Sequence, residues 1–141
     1  ILIVFINVNP EVGPRVWRIG ELFSNIVSQY LEKIKPYSYN YAKLIKFLGV
    51  TKSLRSEYDH IMLGLHDAMK SDIQYQKKSP QIIMPFKSGT VWICFSDQAS
   101  HAVMTGQYMM EQTFHLPVSK QYDPKRSPLE ILRSITNKKL T

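Results

Sequence analysis

Four histidines, one cysteine and a handful of arginines are the side chains here that could bind a metal, move a proton or hold an anion. The histidines are His60, His66, His101 and His115, and the cysteine is Cys94. No Cys/His spacing matches a zinc site, and there is neither a glycine-rich phosphate loop nor a Gly-x-Ser-x-Gly elbow. The most informative stretch is Ser88-Gly89-Thr90-Val91-Trp92-Ile93-Cys94-Phe95-Ser96-Asp97-Gln98-Ala99-Ser100-His101-Ala102-Val103. It reads as a glycine turn, a buried strand, a polar corner, and then a histidine between apolar neighbours where the next strand starts. A lone His in such a place is more often a core histidine than a ligand. The case for a ligand is that a polar corner would open the end of a barrel to water and leave room beside the imidazole. A two-His-one-carboxylate iron(II) site would use that room, because it keeps coordination positions free for co-substrates. Arg55, Asp59 and His66 stand at steps of four and seven, so on one helix they would form a stripe able to meet an acidic substrate. A solvated ion-pair ladder would explain the same spacing. Cys94, alone and inside an apolar run, fits a small buried side chain and a reducing compartment.

The elements that must position these residues follow from pattern. With 141 residues, 44% apolar, the chain is the size of one domain and can bury a core. Residues 1–8 read as a buried strand ended by Asn9-Pro10. That run is too short and lacks the basic leader of a signal peptide, and no apolar run reaches the length of a bilayer span. The chain begins inside its most core-like strand, so a fragment missing an N-terminal portion is expected. Arg15–Ile19 alternates as a strand, and Glu21–Ile34 has helical spacing stopped before Pro36. Helices over about residues 41–48, closed by Gly49, and about 53–71 follow. Four short apolar runs, 81–86, 90–95, 99–105 and 107–116, read as strands close enough to form hairpins. Ser127-Pro128-Leu129-Glu130 opens a last helix, to about residue 137. The expected class is α+β with antiparallel strands, one half of a barrel or jelly roll carrying inserted helices. A net charge of +7 points to a polyanionic partner without choosing one.

Three blocks together resemble the C-terminal, distal-His half of the Kdo (3-deoxy-D-manno-oct-2-ulosonic acid) hydroxylases. They are Asn7-Val8-Asn9-Pro10 with Pro14-Arg15-Val16-Trp17-Arg18, then Tyr58-Asp59-His60-x-Met62-Leu63-x-Leu65-His66-Asp67, and Ser96-Asp97-Gln98-x-Ser100-His101-Ala102-Val103. The resemblance covers nearly the whole chain. It implies the C-terminal portion of a double-stranded β-helix in which residues 1–141 form a single unit. The implied activity is iron(II)/2-oxoglutarate-dependent hydroxylation at C3 of Kdo in the lipopolysaccharide inner core. Iron(II), 2-oxoglutarate and O2 would be consumed or held, and a Kdo-containing lipid A precursor would be the partner. A cytoplasmic location is implied, with peripheral contact at the inner membrane and no nucleic acid.

His101 maps onto the distal iron ligand of that family. The His-x-Asp pair that supplies its other ligands does not occur in these 141 residues, so the chain alone is expected not to hold catalytic iron. A second departure concerns 2-oxoglutarate. Many relatives in the wider superfamily anchor it with Arg or Lys on the strand after the distal His, where this chain has Met110, Glu111 and Gln112. Gln112 could donate a hydrogen bond, but a guanidinium fork suits a carboxylate better, which favours Arg15 or Arg18. Asn7 and Asn9 share a strand face and could bond the co-substrate or the sugar, or they could simply shape the turn before Pro10. Arg55, Tyr58 and His60 are the expected contacts to the sugar's carboxylate and hydroxyls. Two rival readings remain at this stage: a non-catalytic module for anionic glycolipid or nucleic acid, and an inactive truncated fragment.

Overall fold

The computed structural model describes all residues 1–141. Its strands are β1 (Leu2–Asn7), β2 (Arg15–Leu22), β3 (Ile82–Phe86), β4 (Val91–Phe95), β5 (Ala99–Thr105) and β6 (Met109–Phe114). Its helices are α1 (Phe23–Tyr30), α2 (Tyr39–Phe47), α3 (Glu57–Ser71), α4 (Ile73–Lys78) and α5 (Pro128–Thr136). The α+β class and the antiparallel pairing expected from sequence are both present.

The hairpins are not. One sheet has the order β4-β1-β6 and the other β3-β2-β5, so the last four strands alternate between sheets. Each of these runs has apolar residues in both alternating sets, so the period alone does not say which neighbour pairs with which. The short turns carry the chain across the sandwich. At Lys87-Ser88-Gly89-Thr90 this uses a glycine at φ +81°. At Gly106 (φ +102°) a Cβ would lie 2.7 Å from the Pro14 carbonyl oxygen, so only glycine allows the close approach to β2.

An aromatic cluster fills the space between the sheets. Phe5 of β1 meets Trp17 of β2 edge-on at 4.8 Å, and Trp92 of β4 stacks on Phe86 of β3 at 4.0 Å. Asn7, fully buried, ties the layers together: its amide N–H groups donate to the carbonyls of Gly13 and Phe86, and its Oδ1 accepts from the Asn9 N–H.

A second core is helical. Phe23, Ile26, Val27 and Tyr30 of α1 pack on Ile61 and Leu65 of α3, Leu132 of α5 and Leu140. The strand pattern of β2 runs on to Leu22, so α1 starts later than the spacing suggested and ends at Tyr30 in a 3-10 turn. Helix α3 starts at Glu57, where Ser56 and Asp59 form a reciprocal capping box. The short α4 has no counterpart in the sequence reading. It exists because Asp72 ends α3 and caps the next turn, its Oδ1 accepting from the Tyr75 N–H at 2.9 Å. No helix is long and apolar enough to cross a membrane.

Candidate metal and co-substrate site

His101 stands on β5, paired with Ile19 of β2. Just beyond that pair the ladder bulges, with Gly20 and Glu21 of β2 opposite Ser100 alone. Bulges of this kind re-aim side chains beside functional sites. A Cβ on Gly20 would run into the Ser100 hydroxyl, so glycine lets the two strands close at this point.

Two contacts fix the imidazole. Its Nδ1 lies 3.1 Å from the Ala99 carbonyl, which can only accept, so Nδ1 carries the proton and Nε2 the lone pair. Its plane lies nearly parallel to the buried Trp17 indole, at 10° and 5.4 Å between centroids. A backbone bond that sets the tautomer of an otherwise free imidazole is the usual arrangement behind a metal-ligating histidine.

His101 lines two cavities of about 390 and 520 Å3, which share His66, Met69, Ser100 and His101 in their walls. Both volumes fall in the range of small-molecule sites. The first is polar, with Arg18, Lys70, Tyr75 and Gln76 among its walls. The second is apolar, walled by Phe23, Ile26, Met62 and Leu65, with Ser96 and Asp97 at its polar corner.

Arg18 brings the right chemistry to the polar cavity. Its Nη1 donates weakly to the Gln76 carbonyl at 3.4 Å, while its buried Nε has no partner. A buried, unpartnered guanidinium N–H is costly unless something accepts from it. Arg15 lies outside both cavities; its Nη1 donates to the Gly106 carbonyl, and its buried Nε, like that of Arg18, has no partner.

Other residues singled out from sequence fall differently. Asn7 has both amide donors and its carbonyl engaged by backbone, so the structure gives it the work of a pin between sheets. Asn9 closes a turn, its Oδ1 accepting from the Glu11 N–H at 2.8 Å. Gln112 is exposed on β6, in the other sheet, with its amide donating to the Thr113 carbonyl. Arg55 precedes the Ser56 cap and is not helical, so the stripe with Asp59 and His66 does not form.

Arg55 and His60 do come together, with Lys35, Tyr37 and Tyr41, around a separate cavity of about 240 Å3. There the Arg55 carbonyl accepts from the Tyr37 hydroxyl at 2.7 Å, and His60 Nε2 donates to the Lys35 carbonyl at 2.8 Å. Tyr58 is not part of that wall. Burial, then the carboxylates of Asp97 and Asp59, push its hydroxyl up to about 12, so it stays a hydrogen-bond donor at neutral pH. Burial also raises the Cys94 thiol, which argues against a reactive thiolate.

Sequence reasoning missed Lys70, Tyr75 and Gln76, and read His66 only as part of a charged stripe with Arg55 and Asp59. The available signal was the row Met62, His66, Met69 at helical steps, which turns out to face β5.

The distal-His motif thus stands oriented at a cavity with a cation in its wall. The profile of the 3-deoxy-D-manno-oct-2-ulosonic acid (Kdo) hydroxylases matches residues 1–139. The chain belongs to the Kdo hydroxylase family. Its fold matches part of the Kdo hydroxylase KdoO, a non-haem Fe(II) α-ketoglutarate-dependent dioxygenase. With the crystal structure of KdoO holding α-ketoglutarate and Fe(III), the TM-score is 0.95 at 48% identity, over 99% of this chain and 48% of that one. With the cobalt(II) complex of KdoO the TM-score is 0.94 at 48% identity, over 99% and 47%. The chain therefore spans about half the length of the family structures it matches. No curated protein sequence matches it.

Proposed function

We propose that these 141 residues supply one iron ligand, His101, and one co-substrate anchor, Arg18, to an iron(II)/2-oxoglutarate-dependent dioxygenase. The reaction would be hydroxylation at C3 of Kdo in a lipid A–Kdo precursor of the lipopolysaccharide inner core. The observation that carries the reading is the oriented imidazole of His101, with Nδ1 held by a backbone carbonyl and Nε2 left with its lone pair.

The residues present fit part of such a centre. One imidazole is ready as a ligand, and the buried Nε of Arg18 lacks an acceptor in the wall of the cavity that His101 shares. No group of three His, Cys, Asp or Glu side chains comes together in the chain. The other ligands of a two-His-one-carboxylate site would then belong to residues outside these 141, which amount to about half the length of KdoO. On this reading the chain is the C-terminal half of the oxygenase domain, and its two sheets are part of a double-stranded β-helix. The alternation of strands between sheets supports that topology.

Bound iron with 2-oxoglutarate and O2 would supply the oxidising chemistry. The chain's own contributions are binding and positioning. Trp17 and the Ala99 carbonyl hold the His101 ring, and Arg18 offers its guanidinium to a carboxylate. Phe23, Ile26, Met62 and Leu65 keep water from the apolar side of the site. Arg55 and His60, in their separate cavity, suit an acidic part of the substrate away from the hydroxylated carbon, and the Tyr58 hydroxyl remains a donor throughout the neutral range. The lone, half-buried Cys94 supports a reducing, cytoplasmic setting.

The test is to incubate the full-length gene product with iron(II), 2-oxoglutarate and Kdo-bearing lipid A, and to follow succinate and lipid mass. The expected result is succinate formed together with a lipid that gains one oxygen on its Kdo. Lipid unchanged in the presence of all three would overturn the proposal.

A further inference from the structure

The excess positive charge of this chain is not spread over it. Residues 33–56 contain Lys33, Lys35, Lys43, Lys46, Lys52 and Arg55 and no acidic residue, whereas the other 117 residues carry 12 basic and 11 acidic side chains. Nearly all of the +7 charge therefore lies on α2 and its flanks.

The same segment exposes apolar side chains. Helix α2 is capped by the Ser38 hydroxyl and seats Ala42 and Ile45 on the body of the protein. Those two residues account for its buried face. Leu44 is left 52% exposed, Phe47 87%, Leu48 63% and Val50 70%. Lys43, Lys46 and Lys52 are interleaved with them, and Gly49, at φ +71°, turns the chain so that Val50 follows directly on the helix end.

We propose that Tyr41–Lys52 is a membrane-docking element for an anionic bilayer. Phe47, Leu48, Leu44 and Val50 enter the boundary between head groups and acyl chains, while Lys43, Lys46 and Lys52 meet lipid phosphates. Charge complementarity decides among occupants. A second copy of the chain would bring an equally cationic face against this one. A nucleic acid would satisfy the lysines and leave the aliphatic tips of Leu48 and Val50 without a gain. The uncharged exposed strands β3 and β4 offer the contrast: their Ile82, Ile83, Val91 and Ile93 carry no cations among them and suit protein rather than lipid. The inference stands independently of the hydroxylase reading, because it requires no metal and no turnover.

The test is co-sedimentation of the full-length protein with vesicles of phosphatidylcholine alone or mixed with phosphatidylglycerol. Binding is expected to the mixed vesicles and to weaken with salt. Phe47→Ser with Leu48→Ser should lower affinity by roughly tenfold or more for each side chain removed. Lys43→Ala with Lys46→Ala should lower it by about fivefold per cation at low salt. All four side chains are exposed, so thermal melts should match the parent protein. Three results would overturn the proposal: no preference for anionic vesicles, variants that bind like the parent, or no vesicle binding with a lowered melting temperature in the Phe47/Leu48 pair, which would mark this face as an internal interface.

Discussion

At the scale of single residues, two histidines show how far type and spacing reach. His101 was legible because it sits in a distinctive block, Ser96-Asp97-Gln98-x-Ser100-His101, and the fold then supplies what the block could not: a tautomer and a ring plane. His66 was not legible. It lines the same two cavities as His101, a placement that helical spacing suggests only once the partner strand is known. The choice between Arg15 and Arg18 was likewise beyond the sequence. Both guanidiniums donate to a backbone carbonyl and keep a buried Nε without an acceptor, and what separates them is that Arg18 lines a cavity with His101 and Arg15 does not. Arg18→Ala in the full-length enzyme should raise KM for 2-oxoglutarate by about 10–100-fold, the effect of losing a hydrogen bond to a charged group. Arg15→Ala should leave that KM near its parent value and act on stability instead. The reverse pattern in steady-state kinetics would transfer the anchor to Arg15.

At the scale of elements, long periodic segments were readable and pairings were not. Strand β5 appears where the pattern put it and α3 ends at Ser71 as expected, though it starts four residues later, whereas the expected hairpins gave way to strands that cross between sheets. Helix α4 was invisible because six residues carry too little periodicity, and its cause is a single side chain. Asp72 accepts from the Tyr75 N–H and from the Tyr30 hydroxyl, and together these hold its carboxyl below the usual range. Asp72→Ala should therefore lower the urea midpoint of unfolding, with α4 losing amide protection first in hydrogen exchange. The tyrosines set an alkaline limit. Burial, joined by Asp72, pushes Tyr30 up to about 12, and burial with Asp97 pushes Tyr58 to about 12. A raised folded-state pKa gives stability that is complete below the unfolded value near 10 and is lost as pH rises through 12. Melting temperature should thus fall across that window, and Tyr30→Phe should flatten the fall. A melting curve that stays level to pH 12 would contradict this.

At the scale of the whole molecule, apolar surface is unevenly distributed over a chain that spans about half the length of its family structures. The inter-sheet aromatics and the α1–α3–α5 core are closed, yet Ile82, Ile83, Ile93 and Met110 are each more than 60% exposed on strands. Composition alone could not reveal this, because it counts apolar residues without saying which have neighbours. Open apolar edges favour strand-to-strand association. The isolated 141-residue chain should self-associate in sedimentation velocity runs, and Ile93→Lys should reduce that without lowering the melting temperature; a monodisperse parent chain would count against it. The central claim remains the metal role of His101. Its most direct measurement is iron(II) binding together with iron-dependent 2-oxoglutarate turnover in the full-length protein carrying His101→Ala. The expected result is loss of both in a variant that melts like the parent; parental iron affinity and turnover in that variant would contradict the account.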